Sequence, residues 1–131
     1  VPGPAGPQGP KGDTGATGPA GTLPTPPWIA PSFVNGWRNY GSGFVAAGYR
    51  KIGDIVYFRG LLQGGASPSV AFTLPAGYLP PGTIVAIGVG DNTSANGRID
   101  INTAGAVTIQ SGPTGAAGYL SLDSVQFSVT A

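Results

Sequence analysis

Glycine occupies every third position from Gly3 to Gly21: Gly3, Gly6, Gly9, Gly12, Gly15, Gly18 and Gly21 fall in one phase without a miss. No other feature of the 131-residue chain restricts its conformation so tightly. When three polyproline-II strands wind about a common axis, each meets that axis once per triplet, and only a hydrogen side chain fits there. Pro4, Pro7, Pro10 and Pro19 each follow a glycine and fix φ before assembly, which lowers the entropy lost on ordering. A flexible Gly/Pro linker needs no period. The strict phase therefore points to a triple helix over residues 3–21, roughly 60 Å long at about 3 Å per residue.

This is the Gly-X-Y pattern of collagen, with one departure. Within residues 3–21 all four prolines take the second place of the triplet, and the third places hold Ala5, Gln8, Lys11, Thr14, Thr17 and Ala20. Hydroxyproline in the third place is thus not a route to stability here. Lys11-Gly12-Asp13 offers another: a third-place cation reaches the acid of the next triplet on a neighbouring chain and favours one register. Such exposed pairs are worth about 0–1 kcal/mol each. So short a rod needs a further trimerising element, and the residues after it are the candidate. The expected organisation is a stalk over 1–22, a connector over 23–27 in which Pro24, Pro26 and Pro27 favour extended chain, and a head over 28–131.

Composition changes at that boundary. Both Trp, all five Tyr and all five Phe lie at or beyond Trp28. The chain has no His and no Cys, which excludes a disulfide framework, a thiolate nucleophile, and the usual metal ligands and general base. A net charge of +1 provides no field to hold a nucleic-acid backbone. No apolar run approaches the length that spans a membrane. No cofactor is expected. The first residues show no secretory signal pattern and start within a triplet, as expected of a fragment of a longer protein.

The head reads as β throughout. Short runs rich in Val, Ile, Phe, Tyr and Thr alternate with Gly, Pro, Asn, Asp and Ser, and no 3.6-residue apolar period persists. Candidate strands are 34–40, 44–50, 54–62, 69–74, 84–89, 98–103, 106–111, 117–122 and 125–130. Ile99 and Ile101 alternate with Arg98 and Asp100, Val107 and Ile109 with Thr108 and Gln110, and Val125, Phe127 and Val129 with Gln126, Ser128 and Thr130. These are half-buried strands with one wet face, and Thr103-Ala104-Gly105 is a hairpin turn. Asp123-Ser124 breaks the parity between Leu120/Leu122 and Val125/Phe127, which predicts a bulge. Residues 54–62 and 84–89 are apolar on both faces. In a head of this size a trimer supplies cover for the second face, so Ile55, Tyr57, Leu61 and Trp28 are candidate trimer-interface residues. The expected fold is an all-β, antiparallel β-sandwich or jelly-roll head, homotrimeric, behind a collagen-like triple helix.

Five runs occur in a telling order: Asn35-Gly36-Trp37; Tyr49-Arg50-Lys51-Ile52-Gly53-Asp54-Ile55-Val56; Arg59-Gly60; Leu74-Pro75-Ala76-Gly77-Tyr78-Leu79-Pro80; and Tyr119-Leu120-Ser121-Leu122-Asp123. Together they resemble the C-terminal head of bacteriophage tail-fibre and receptor-binding proteins, in which collagen-like stalks are common just before the head. The resemblance covers residues 28–131. It implies a homotrimeric β-sandwich at the tip of a virion fibre, attached to the rest of the phage tail, that adsorbs the phage to a host cell-surface glycan. The alternative is a structural trimerisation domain with no ligand site of its own.

Most of these runs have packing or turn chemistry: Trp37, Val56 and Phe58 read as core or interface, and Pro75, Gly77 and Pro80 as a corner. Ligand candidates lie elsewhere. The polar loop Asp91, Asn92, Thr93, Ser94 and Asn96, followed by Arg98, has the groups to bond sugar hydroxyls. Tyr40, next to Asn39 in a Gly-rich loop, offers an aromatic face. The polar loop lacks the glycine position and acid count of a calcium loop. Glycosidases work with paired carboxylates; outside the stalk only Asp54, Asp91, Asp100 and Asp123 are available, and nothing marks two of them as an acid/base pair. A binding protein rather than an enzyme is expected.

Overall fold

The computed structural model describes residues 25–90, 96–112 and 118–131. The triplet glycines with Lys11 and Asp13, and the loop residues Asp91, Asn92, Thr93 and Ser94, lie outside the described residues. Among the described residues the chain is all-β, with antiparallel pairing throughout and no helix. The strands are β1 (Arg38–Asn39), β2 (Gly48–Ile52), β3 (Ile55–Arg59), β4 (Leu61–Gln63), β5 (Ser69–Thr73), β6 (Ile84–Gly88), β7 (Gly97–Ile101), β8 (Ala106–Ser111), β9 (Tyr119–Ser121) and β10 (Gln126–Ser128).

They form three ladders, in the orders β1-β4-β9, β10-β3-β2 and β5-β8-β7-β6. The first two are segments of one bent pairing. β3 and β4 are separated only by Gly60, and β9 and β10 by the Asp123-Ser124 turn, where the bulge was expected. At this bend Leu122 N donates to Gly60 O at 2.8 Å, and Gly60 N donates to Asp123 Oδ1 at 2.8 Å. Gly60 has φ +109°, and a Cβ there would fall 2.3 Å from Ala47 Cα. Only glycine lets the two backbones pass so closely.

The β2-β3-β10 layer packs against β5-β8-β7-β6 around Phe72, which is fully buried. Its ring stacks on Tyr49 at 6.2 Å and meets Phe58 at 5.7 Å and Phe33 at 6.1 Å. Alternation sets the inward set. Val56, Phe58 and Leu62 are buried while Ile55, Tyr57 and Leu61 face out half-buried, and Ile99, Ile101, Val107, Ile109, Leu120 and Leu122 are all inside. Trp37 is a core residue: its indole lies where a Cβ on Gly65 would be, and its Nε1 donates to Ser69 Oγ at 2.8 Å.

The hairpin and the corner form as read. Asn102 Oδ1 accepts from Ala104 N and Ala106 N, both at 3.0 Å, and Gly105 takes φ +89° between β7 and β8. Tyr78 N donates to Pro75 O at 3.1 Å across Gly77, whose φ is +92°.

Two expectations are corrected. The run 34–40 is not one strand: Asn35 and Gly36 take φ +58° and +82° as a turn, which leaves β1 at Arg38–Asn39. The run 44–50 begins only at Gly48, because Phe44 N closes a turn onto Gly41 O and Ala47 N is taken by Asn39 Oδ1 rather than by a ladder. The run 84–89 is apolar on both faces as read, and within the chain Val85, Ile87 and Val89 stay exposed.

Candidate functional site

Three outward-facing groups of side chains are built by these ladders. The first lies on the wet face of β7 and β8. Residues two apart on a strand share a face, so Arg98 and Asp100 meet: Arg98 Nε donates to Asp100 Oδ1 at 2.9 Å and Arg98 Nη2 to Oδ2 at 3.0 Å. Gln110 on β8 adds a bond from Nε2 to Asp100 Oδ2 at 3.2 Å. The hydrogen bond that Arg98 donates to Asp100, and then the charge of Asp100, raise the Arg98 pKa above its ordinary value. Arg98 is exposed, as is Asn96 at the foot of the loop. Its fork, however, is already occupied by Asp100. A ligand here would meet a planar Arg–Asp–Gln set rather than a free cation.

The second group lies on the outer face of β1-β4-β9. The backbone of Gly41, Ser42 and Gly43 takes φ values of +78°, +52° and +87° in succession. That reversal brings Phe44 back over Tyr40, ring to ring at 5.3 Å and edge to face. Tyr119 on β9 meets the other side of the cluster, 5.7 Å from Tyr40. Phe44 is 59% exposed. Gln63 stands opposite Tyr119 in the ladder and donates through Nε2 to Tyr40 O at 3.3 Å. Asn39 contributes differently, since its Oδ1 braces Ala47 N at 2.7 Å. The result is a solvent-facing aromatic patch beside a carboxamide, chemistry that suits the C–H face and hydroxyls of a saccharide.

The third group receives the chain as it reaches the sandwich. Ile29 forms a two-bond bridge with Tyr49, at 2.8 and 3.0 Å. This seats Trp28 above Gly48, where a Cβ would lie 3.3 Å from Trp28 Cβ. The guanidinium carbons of Arg50 and Arg59 lie 4.1 and 4.5 Å from the indole centroid. Arg50 Nη1 also donates to Pro26 O at 3.4 Å. The Nε atoms of both arginines are buried without a hydrogen-bond partner, so the indole face is their main compensation.

The structure thus brings together some expected residues and separates others. Tyr40 gains Phe44 and Tyr119, which sequence reading missed because Phe44 was placed in a strand and Tyr119 is far along the chain. Arg98 gains Asp100 and Gln110, and the two-residue spacing was the available signal. Ile55 and Tyr57 share the outer face of β3, Leu61 lies on β4, and Trp28 lies against two arginines. No helix among the described residues is long and apolar enough to cross a membrane.

No protein-family model and no curated protein matches the chain. The architecture does match a solved one. It is shared with the crystal structure of the receptor binding protein (gp15) of Listeria phage PSA, at a TM-score of 0.62 and 18% sequence identity. That match covers 77% of this chain and 63% of the phage protein.

Proposed function

We propose that this chain is the tip of a bacteriophage tail fibre: a receptor-binding head, trimeric behind a collagen-like stalk, that attaches the virion to the host surface through a glycan. The observation that carries the reading is the conjunction of a strict Gly-X-Y run with a sandwich that shares the fold of a phage receptor binding protein. A rod that holds three heads adds weak single-site contacts by avidity, which raises overall affinity by about 10²–10⁴-fold. The Tyr40–Phe44–Tyr119 patch with Gln63 is the stacking platform. The polar loop Asp91, Asn92, Thr93, Ser94 and Asn96 is the second contact region. The head binds glycan without cleaving it.

The test is retention of the soluble protein on purified bacterial cell-wall fractions, with phage adsorption measured alongside. The expected result is saturable retention, competition with adsorption and intact glycan chains. Tyr40→Ala with Phe44→Ala should lower retention at least tenfold while assembly is unchanged. Full assembly with no retention on any envelope fraction would leave only a trimerisation domain, and shortened glycan would indicate a depolymerase.

A further inference from the structure

The outer face of β6 and the residue just beyond its end carry three branched aliphatic side chains in a row: Val85, Ile87 and Val89 are 59%, 63% and 64% exposed. β6 is the edge of its ladder, with β7 as its one hydrogen-bonded strand neighbour. Its free edge is nevertheless partly closed. Ser121 N donates to Val89 O at 2.9 Å, and Ser124 Oγ donates to Ile87 O at 3.1 Å. A partner therefore meets side chains here and does not add a strand. The stripe has no aromatic ring on which a sugar would stack, unlike the Tyr40 patch.

We infer that this stripe is the surface through which copies of the chain meet about a threefold axis; the inference rests on the trimeric reading proposed above. On a rotation axis each residue faces its own copies, so a lone charge meets its like. The β6 stripe avoids that conflict. It is uncharged, and the charges opposite it in the ladder, Asp100 across from Val85 and Arg98 across from Ile87, neutralise each other at 2.9 Å. The outer face of β2 and β3 does not avoid it, because Arg50 and Arg59 have no acidic partner among the described residues. Aliphatic cover and charge balance together select β6 over the face that carries Ile55 and Tyr57.

The chain has no cysteine, so Ile87→Cys introduces a unique thiol. Mild oxidation of the dilute full-length variant should link two chains of each assembly and give a dimer band on a denaturing gel. Gln126→Cys, exposed on the outer face of β10, should remain a single-chain band. A melting temperature matched to the unmodified protein checks that each variant folds, and Val85→Cys stands in if Ile87→Cys does not. A trimer in which neither stripe position links, or in which Gln126→Cys links preferentially, overturns this assignment and leaves the trimer standing. An unmodified chain that sediments as a monomer overturns both.

Discussion

Tyr49 shows how one buried side chain couples packing to solution conditions. Its ring stacks on Phe72 and meets Tyr78 edge-on at 5.3 Å, inside the core. Burial, and then the proximity of Tyr78, raise its pKa above the ordinary value near 10. Below pH 10 the phenol is protonated in both folded and unfolded chains and stability is unaffected. As the pH rises from 10 through the folded pKa, the unfolded chain releases the proton while the folded chain retains it, so stability falls. Tyr49→Phe keeps the ring and removes the titration. Its denaturation midpoint should decline less steeply above pH 10 than that of the unmodified protein, and identical slopes would contradict this. Residues such as Ile99, Ile101, Val107 and Ile109 were legible from parity alone, since a period of two puts alternate side chains on one face. The partners of Tyr40 were not, because three successive left-handed residues fold Phe44 back in a way that no periodicity encodes.

At the scale of elements, the bend between β3–β4 and β9–β10 organises the head. Gly60 allows close passage of the Ala47 backbone, and Asp123 supplies the acceptor that the interrupted ladder no longer provides. A buried N–H left without a partner costs about 1–3 kcal/mol. Asp123→Ala should therefore lower unfolding free energy by about 1–3 kcal/mol, with Asp123→Asn milder because a carboxamide oxygen still accepts. Chemical denaturation of the two variants decides this, and equal stability of all three proteins would show that the bend needs no side-chain acceptor. This break was readable as a parity error between Leu122 and Val125. Asn35-Gly36 was equally readable as turn chemistry, yet apolar neighbours on both sides masked it in the run 34–40. The stripe on β6 presented a different obstacle. Its residue types demand cover on two faces, and a single chain supplies one.

For the whole molecule, three properties converge on assembly. The triplet glycines suit a shared axis, the sandwich has the fold of a phage receptor binding protein, and β6 offers an uncharged face at its edge. Each is modest alone: exposed ion pairs in a stalk add little, and a fold by itself hosts many functions. The trimer proposed above would relate them: it would let a rod form, cover the aliphatic stripe and multiply weak contacts with a repetitive surface. The most direct test is the mass of the intact chain in solution by sedimentation equilibrium across a broad range of concentration. A trimer sediments as a single species of three times the 12.9 kDa chain mass at every concentration; a lone-chain mass throughout rules the trimer out.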